Sequence, residues 1–149
     1  MLGALARWLR AAGYDAHWRE GIEDAELIAL AKAEKRIILT ADTGIMNRNA
    51  IIKKSVTALY VPLSLSRHKQ VAHVLRTLNL PRRAPRCMAC GGSLVPLDRQ
   101  SAREVVPPAA FERNDEFYRC QRCGKVYWPG THWNSIDRKL AENGLNIDG

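Results

Sequence analysis

The sequence predicts a mixed α/β fold in two parts: a small parallel sheet layered with helices, then a compact unit organised by four cysteines. Three observations carry this. Helix-period apolar stripes alternate with short β-branched runs over residues 1–80, the pattern of a parallel sheet with crossover helices. The stretch Pro81-Arg82-Arg83-Ala84-Pro85-Arg86 breaks the pattern and reads as a linker. All four cysteines of the 149-residue chain fall beyond it, in two C-x-x-C-G pairs. The expected organisation is an α/β domain over 1–80, a linker over 81–86, and a cysteine-bearing unit with a last helix over 87–149.

Each element has its own signal. Leu2, Leu5, Leu9 and Ala12 form one stripe of a first helix, with Ala6 and Trp8 beside it, and Gly13 is a natural stop. Residues 14–18 read as extended and 19–23 as a turn. A second helix begins near Asp24, placed to cap it, with Leu27, Ile28, Leu30 and Ala31 as its apolar face. Glu26 suits its first turn, and Lys32, Lys35 and Arg36 suit its last. Ile37-Ile38-Leu39-Thr40 reads as a buried parallel strand. Asp42-Thr43-Gly44 turns into a short helical piece through Met46. Residues 56–61 form a second strand closed by Pro62. Residues 66–80 form a third helix with Val71, Val74, Leu75 and Leu78 inside. The C-terminal unit shows strand-like runs at 93–97 and 125–128 and a helix from about 133 to 142, ending at Asn143-Gly144.

Composition narrows the function. The chain is 46% hydrophobic and 26% charged, enough for a core and unlike a disordered chain. No apolar run approaches the ~20 residues that span a bilayer, so no membrane partner is expected. Residues 1–12 carry Arg7 and Arg10 in an amphipathic pattern unlike a signal peptide, which makes the cytoplasm the expected compartment. The net charge of +8 and pI near 9.7 favour a polyanionic partner, of which nucleic acid is the commonest. The excess is spread over both halves: 12 basic and 7 acidic residues to Leu80, then 11 and 8.

Cys87-Met88-Ala89-Cys90-Gly91-Gly92 and Cys120-Gln121-Arg122-Cys123-Gly124 are two metal knuckles. Two residues between thiolates let both sulfurs face one ion, and the following glycine lets backbone amides turn toward sulfur. Cys87, Cys90, Cys120 and Cys123 together close a tetrahedral zinc site with no open position, which makes it structural. Disulfides fit poorly without an export signal. A redox pair needs no matching second pair, and an iron–sulfur cluster takes the same ligands, but the knuckle glycines favour zinc. So small a unit draws much of its folding energy from the metal.

Around the knuckles, Arg82, Arg83, Arg86, Arg119, Arg122 and Lys125 are interleaved with Tyr118, Tyr127, Trp128 and Trp133. Cations beside aromatic faces suit single-stranded nucleic acid; equally, the aromatics are the ribbon's own small core and the arginines its solvated rim. In the first part, Asp42 follows a strand and so stands at the carboxyl edge where α/β sheets bind ligands. Asp24 opens the helix before that strand, which assigns it to the opposite end if that helix is a crossover. Carboxylates sharing a site hold magnesium or manganese, while turn and cap roles account for each singly. His17, His68 and His73 form no triad or metal pattern. His132, in Pro129-Gly130-Thr131-His132-Trp133, opens the last helix, where it caps or touches phosphate.

Several stretches resemble the Mut-seven C-terminal RNase domain family. They are Met1-Leu2-Gly3 with Leu5-Ala6-Arg7-Trp8-Leu9-Arg10 and Gly13-Tyr14-Asp15; Asp24-Ala25-Glu26-Leu27; Ile38-Leu39-Thr40-Ala41-Asp42; and Val106-Pro107-Pro108. The most specific block runs from Cys120 through Gly124-Lys125-Val126-Tyr127-Trp128-Pro129-Gly130-Thr131-His132-Trp133. The resemblance implies a PIN-like α/β domain fused to a zinc ribbon, and a metal-dependent endoribonuclease with RNA as substrate. Asp24 and Asp42 match two of the acidic positions, which the PIN-like arrangement brings together. Arg7, with Arg10 beside it, matches an arginine able to meet phosphate, and Arg82, Arg83 and His132 join them as expected RNA contacts. Family members carry a further strand ending in aspartate before the Met-Leu-Gly, and this sequence begins at Met1 without it. A catalytically inactive RNA-binding zinc-ribbon protein, or a protein-interaction module presenting Tyr127 and Trp128 to a protein partner, are the alternatives.

Overall fold

The structure is a computed structural model and describes residues 2–146. Helix α1 (Gly3–Ala11) buries Leu5, Ala6, Leu9 and Ala11. Its stop is a left-handed cap: the Tyr14 amide donates to the Leu9 carbonyl and the Gly13 amide to that of Arg10, both at 3.0 Å. Gly13 sits at φ +103°, and a Cβ there would lie 2.5 Å from Cβ of Arg83. Backbone conformation and close approach both demand glycine.

Helix α2 (Asp24–Glu34) leads to strand β1 (Ile38–Thr40), followed by the short helices α3 (Thr43–Met46) and α4 (Asn49–Ile52). Strand β2 (Ala58–Tyr60) pairs parallel to β1 in the register Ile38↔Ala58, Leu39↔Leu59, Thr40↔Tyr60. Helix α5 (Arg67–Thr77) then packs Val71, Val74 and Leu75 inward. Ala31, Ile38, Ile45 and Val56 form a small core between α2, the sheet and α3. Asp24 is the first residue of α2, with Glu23 in the cap position, so the expected side-chain cap is not made.

Residues 81–86 run along α1. The Arg83 and Arg86 amides donate to the Ala12 and Arg10 carbonyls at 2.9 Å, and Tyr14 Oη donates to the Pro81 carbonyl. Strands β3 (Leu94–Leu97), β4 (Phe117–Cys120) and β5 (Val126–Tyr127) then form an antiparallel sheet in the order β3-β4-β5. Between β3 and β4 lie two helices absent from the sequence reading, α6 (Arg99–Val105) and α7 (Pro108–Arg113). Asp98 caps α6 by accepting from the Ser101 amide at 2.7 Å, and a proline opens α7. The final helix α8 (Thr131–Glu142) starts two residues earlier than expected.

The molecule is therefore a mixed α/β fold with a small parallel sheet and a C-terminal antiparallel sheet. The largest core draws on both ends of the chain: Leu5 and Leu9 of α1 and Val71 and Leu75 of α5 pack with Met88, Ile136, Leu140 and Leu145. Among the described residues, no helix is long and apolar enough to cross a membrane.

Gly13→Ala is expected to destabilise the fold by about 2 kcal/mol or more, from the left-handed backbone alone and further from the collision with Arg83. Urea denaturation measures it; an unchanged midpoint would contradict the assigned cap.

Candidate metal centre and acidic edge

The four sulfurs lie within 4.8 Å of one another. Cys87 Sγ is 3.6 Å from Cys123 Sγ, and Cys90 Sγ is 3.4 Å from Cys120 Sγ. A disulfide measures ~2.05 Å, whereas the edge of a zinc–thiolate tetrahedron with ~2.3 Å bonds is ~3.8 Å. The spacing fits zinc. Backbone amides already point at sulfur: Gly92 to Cys90 at 3.3 Å, Arg122 and Cys123 to Cys120 at 3.3 and 3.4 Å. Burial pushes the Cys120 thiol up, but the Cys123 and Arg122 amides outweigh it and bring it down to about 6; burial drives Cys90 the other way, up to about 12. Gly91 at φ +82° and Gly124 at φ +79° make the knuckle turns. A Cβ on Gly92 would stand 2.6 Å from Cys120 Sγ.

The arginines that the sequence groups together divide sharply here. Arg122 Nη1 donates to the Cys90 carbonyl at 3.0 Å and Arg86 Nε to the Gly91 carbonyl at 2.6 Å. Arg10 is buried at 9% exposure, its guanidinium donating to the carbonyls of Ala16, Met88 and Ala89. Arg82, at 6% exposure, is held by the Leu145 carbonyl and Asp137. Arg10 and Arg82 thus brace the fold through these bonds. Arg7 and Arg83 are exposed, and Arg83 lies 5.4 Å from the Tyr14 ring centre. The side chain of His132 lies outside the described part of the structure.

Asp15, quoted above only within the Gly13-Tyr14-Asp15 stretch, was given no role by the sequence. Its Oδ2 accepts from Arg36 Nη2 at 3.1 Å and its Oδ1 from Arg122 Nη1 at 3.4 Å, tying the end of α2 to the second knuckle. Burial works against ionisation, but the hydrogen bonds and charge of Arg122 and Arg36 hold the carboxyl below its ordinary 3.8.

Asp42 follows β1 and caps α3, its Oδ1 accepting from the Gly44 amide at 2.7 Å. Asp24 Oδ2 lies 3.5 Å from Nη2 of Arg48, the residue that opens α4. This contact corrects the topological expectation. A helix entering a strand through a short loop runs antiparallel to it, so α2 begins at the carboxyl edge of β1, on the side of α3 and α4. Among the described residues no hydrogen bond or ion pair joins Asp24 to Asp42.

Compared with known families, residues 1–140 match the Mut7-C RNAse domain. The chain belongs to the Mut7-C RNase domain family. No curated protein and no solved structure matches it. The Mut7-C match spans the parallel sheet and the cysteine cluster alike, and membership implies a ribonuclease with an RNA substrate. The four-cysteine cluster suggests that this Mut7-C chain carries one structural zinc.

Two outcomes follow for this Mut7-C protein. Structural zinc sites bind with ~10–16 kcal/mol, as much as the whole stability of an ordinary domain. Cys120→Ser, or a chelator, is therefore expected to unfold the β3–β5 sheet. Metal analysis and near-ultraviolet circular dichroism read this, and a chain that binds no zinc, or melts unchanged without it, rules the centre out. For Asp15, the folded carboxyl titrates below its unfolded value. Its contribution is complete above the unfolded value and disappears as pH falls through the folded one. Asp15→Asn should lower stability at pH 7 and leave the difference from wild type shrinking at acid pH, measured by melting across pH; a pH-independent gap would refute the ion-pair account.

Proposed function

We propose that this chain hydrolyses RNA phosphodiester bonds, with magnesium or manganese held by Asp24 and Asp42. The observation that carries the reading is the ribonuclease-family match over residues 1–140. The donor chemistry supports it, since carboxylate oxygens are the ligands these hard ions prefer. Asp42 Oδ2 and Asp24 Oδ1 have no hydrogen-bond or ion-pair partner among the described residues, so each acid has an oxygen to offer. When bound, such an ion acidifies a water and offsets charge on the phosphate. Arg48, beside Asp24 and half exposed, offers a guanidinium to a phosphate oxygen. Reduced cysteines and an RNA substrate are consistent with a cytoplasmic protein.

A second reading, RNA binding without cleavage, is favoured by the fact that Asp42 Oδ1 and Asp24 Oδ2 are each already engaged within the chain. The two separate in a decay assay with end-labelled RNA, zinc-loaded protein and added magnesium or manganese. Asp42→Ala is expected to slow cleavage by more than the ~10–100-fold that losing an outer-shell partner costs. Equal decay by both proteins removes the acidic site from the mechanism. Binding that weakens with salt, without any decay, establishes the second reading.

A further inference from the structure

A groove of about 960 Å³ lies between the first turns of α1 and the β5–α8 segment, over the first knuckle at Met88 and Ala89. Neither Asp24 nor Asp42 lines it. Three of the chain's four tryptophans do: Trp18, Trp128 and Trp133. Trp18 is 44% exposed, a large indole face left in water.

Two of the aromatic rings have identifiable supports. A Cβ on Gly3 would lie 3.1 Å from the Trp18 ring, so the bare backbone of α1 is the surface the indole rests on. Tyr127 Oη is 3.0 Å from Cys87 Sγ and accepts from the Ala89 amide at 3.2 Å, which locks its ring to the metal knuckle. Exposed Arg7 and Lys125 supply positive charge, with Lys125 Nζ 5.5 Å from the Tyr127 ring centre. No carboxylate is among the described lining residues.

We infer that this groove is a single-stranded RNA cradle, which holds substrate apart from the acidic edge. The inference rests on the family's RNA substrate. Rigid aromatic faces with flanking cations and no acids match what an unpaired strand presents, namely phosphates and open base faces. A duplex hides those faces in its own stack. The aromatic faces accommodate about two to three bases, one on each available ring. Sequence preference is weak in such a site, because every base has a π-face to stack.

The test uses zinc-loaded full chain without added magnesium or manganese, and a fluorescein-labelled oligouridylate of about ten nucleotides. Anisotropy should show binding, with tryptophan fluorescence quenched, and weaker binding to a duplex of the same length. Trp18→Ala, on an exposed ring, should weaken affinity about 10-fold. Arg7→Gln should reduce the slope of log affinity against log salt by about 0.7, while Arg138→Gln, on exposed α8, should change the slope less. Trp128→Ala provides a second aromatic variant, checked for its melting temperature. Unchanged affinity in Trp18→Ala and Arg7→Gln overturns the cradle, as does equal affinity for duplex. Preference for polyglutamate over RNA overturns it too and makes the groove a protein-docking site. The same variants are run in the decay assay. Cleavage that persists with normal binding in Trp18→Ala and Arg7→Gln rejects the cradle and keeps the hydrolase. Weakened binding with no cleavage by wild type keeps the cradle and rejects the hydrolase.

Discussion

The buried guanidinium of Arg10 is the constraint on which the architecture turns. It sits on α1, yet its acceptors are the carbonyls of Ala16 and, 78 residues away in sequence, of Met88. These carbonyls lie where water does not reach them easily, and a buried acceptor without a donor costs about 1–3 kcal/mol. A cation with no ion-pair partner among the described residues, held by carbonyl dipoles, persists only if those dipoles stay aimed. The first knuckle therefore has one position on α1, and the groove wall at Met88 and Ala89 is fixed with it.

The same logic reassigns much of the positive charge. A zinc ion with four thiolates would carry a net charge of about −2, and Arg86 and Arg122 bind the carbonyls of the loop that would hold it. Asp15 then balances Arg36 and Arg122 from the other side. A basic composition that reads as a polyanion signal is in part internal wiring. The charge free to meet a ligand is a smaller set that includes exposed Arg7, Arg83 and Lys125.

Local signals made α1, α2, α5, β1, β2 and the knuckles readable, because each rests on spacing within a few residues. The helices α6 and α7 escaped because they are seven and six residues long and bury little. Their only marks are Asp98 three residues before Ser101, and Pro108. The burial of Arg10 and Arg82 was illegible for a different reason: their partners include the carbonyls of Met88 and Leu145, distant in sequence, and a carbonyl leaves no trace in residue identity. Trp18 was hidden likewise. Its setting depends on Gly3, fifteen positions earlier, which as a residue type signals only a weak helix start. The contact of Asp24 with Arg48 required the direction in which α2 enters β1, a matter of topology rather than of pattern.

The central core has a temporal consequence. Leu145 and Leu140 pack with Leu5 and Leu75, residues that leave the ribosome long before them. Helix α5 is the earlier surface on which α1 can dock, and the core around its apolar stripe closes only when Ile136, Leu140 and Leu145 have followed. Such closure between distant parts of the chain favours slow consolidation of this core, and it leaves the stripe in need of shielding until α8 is in place.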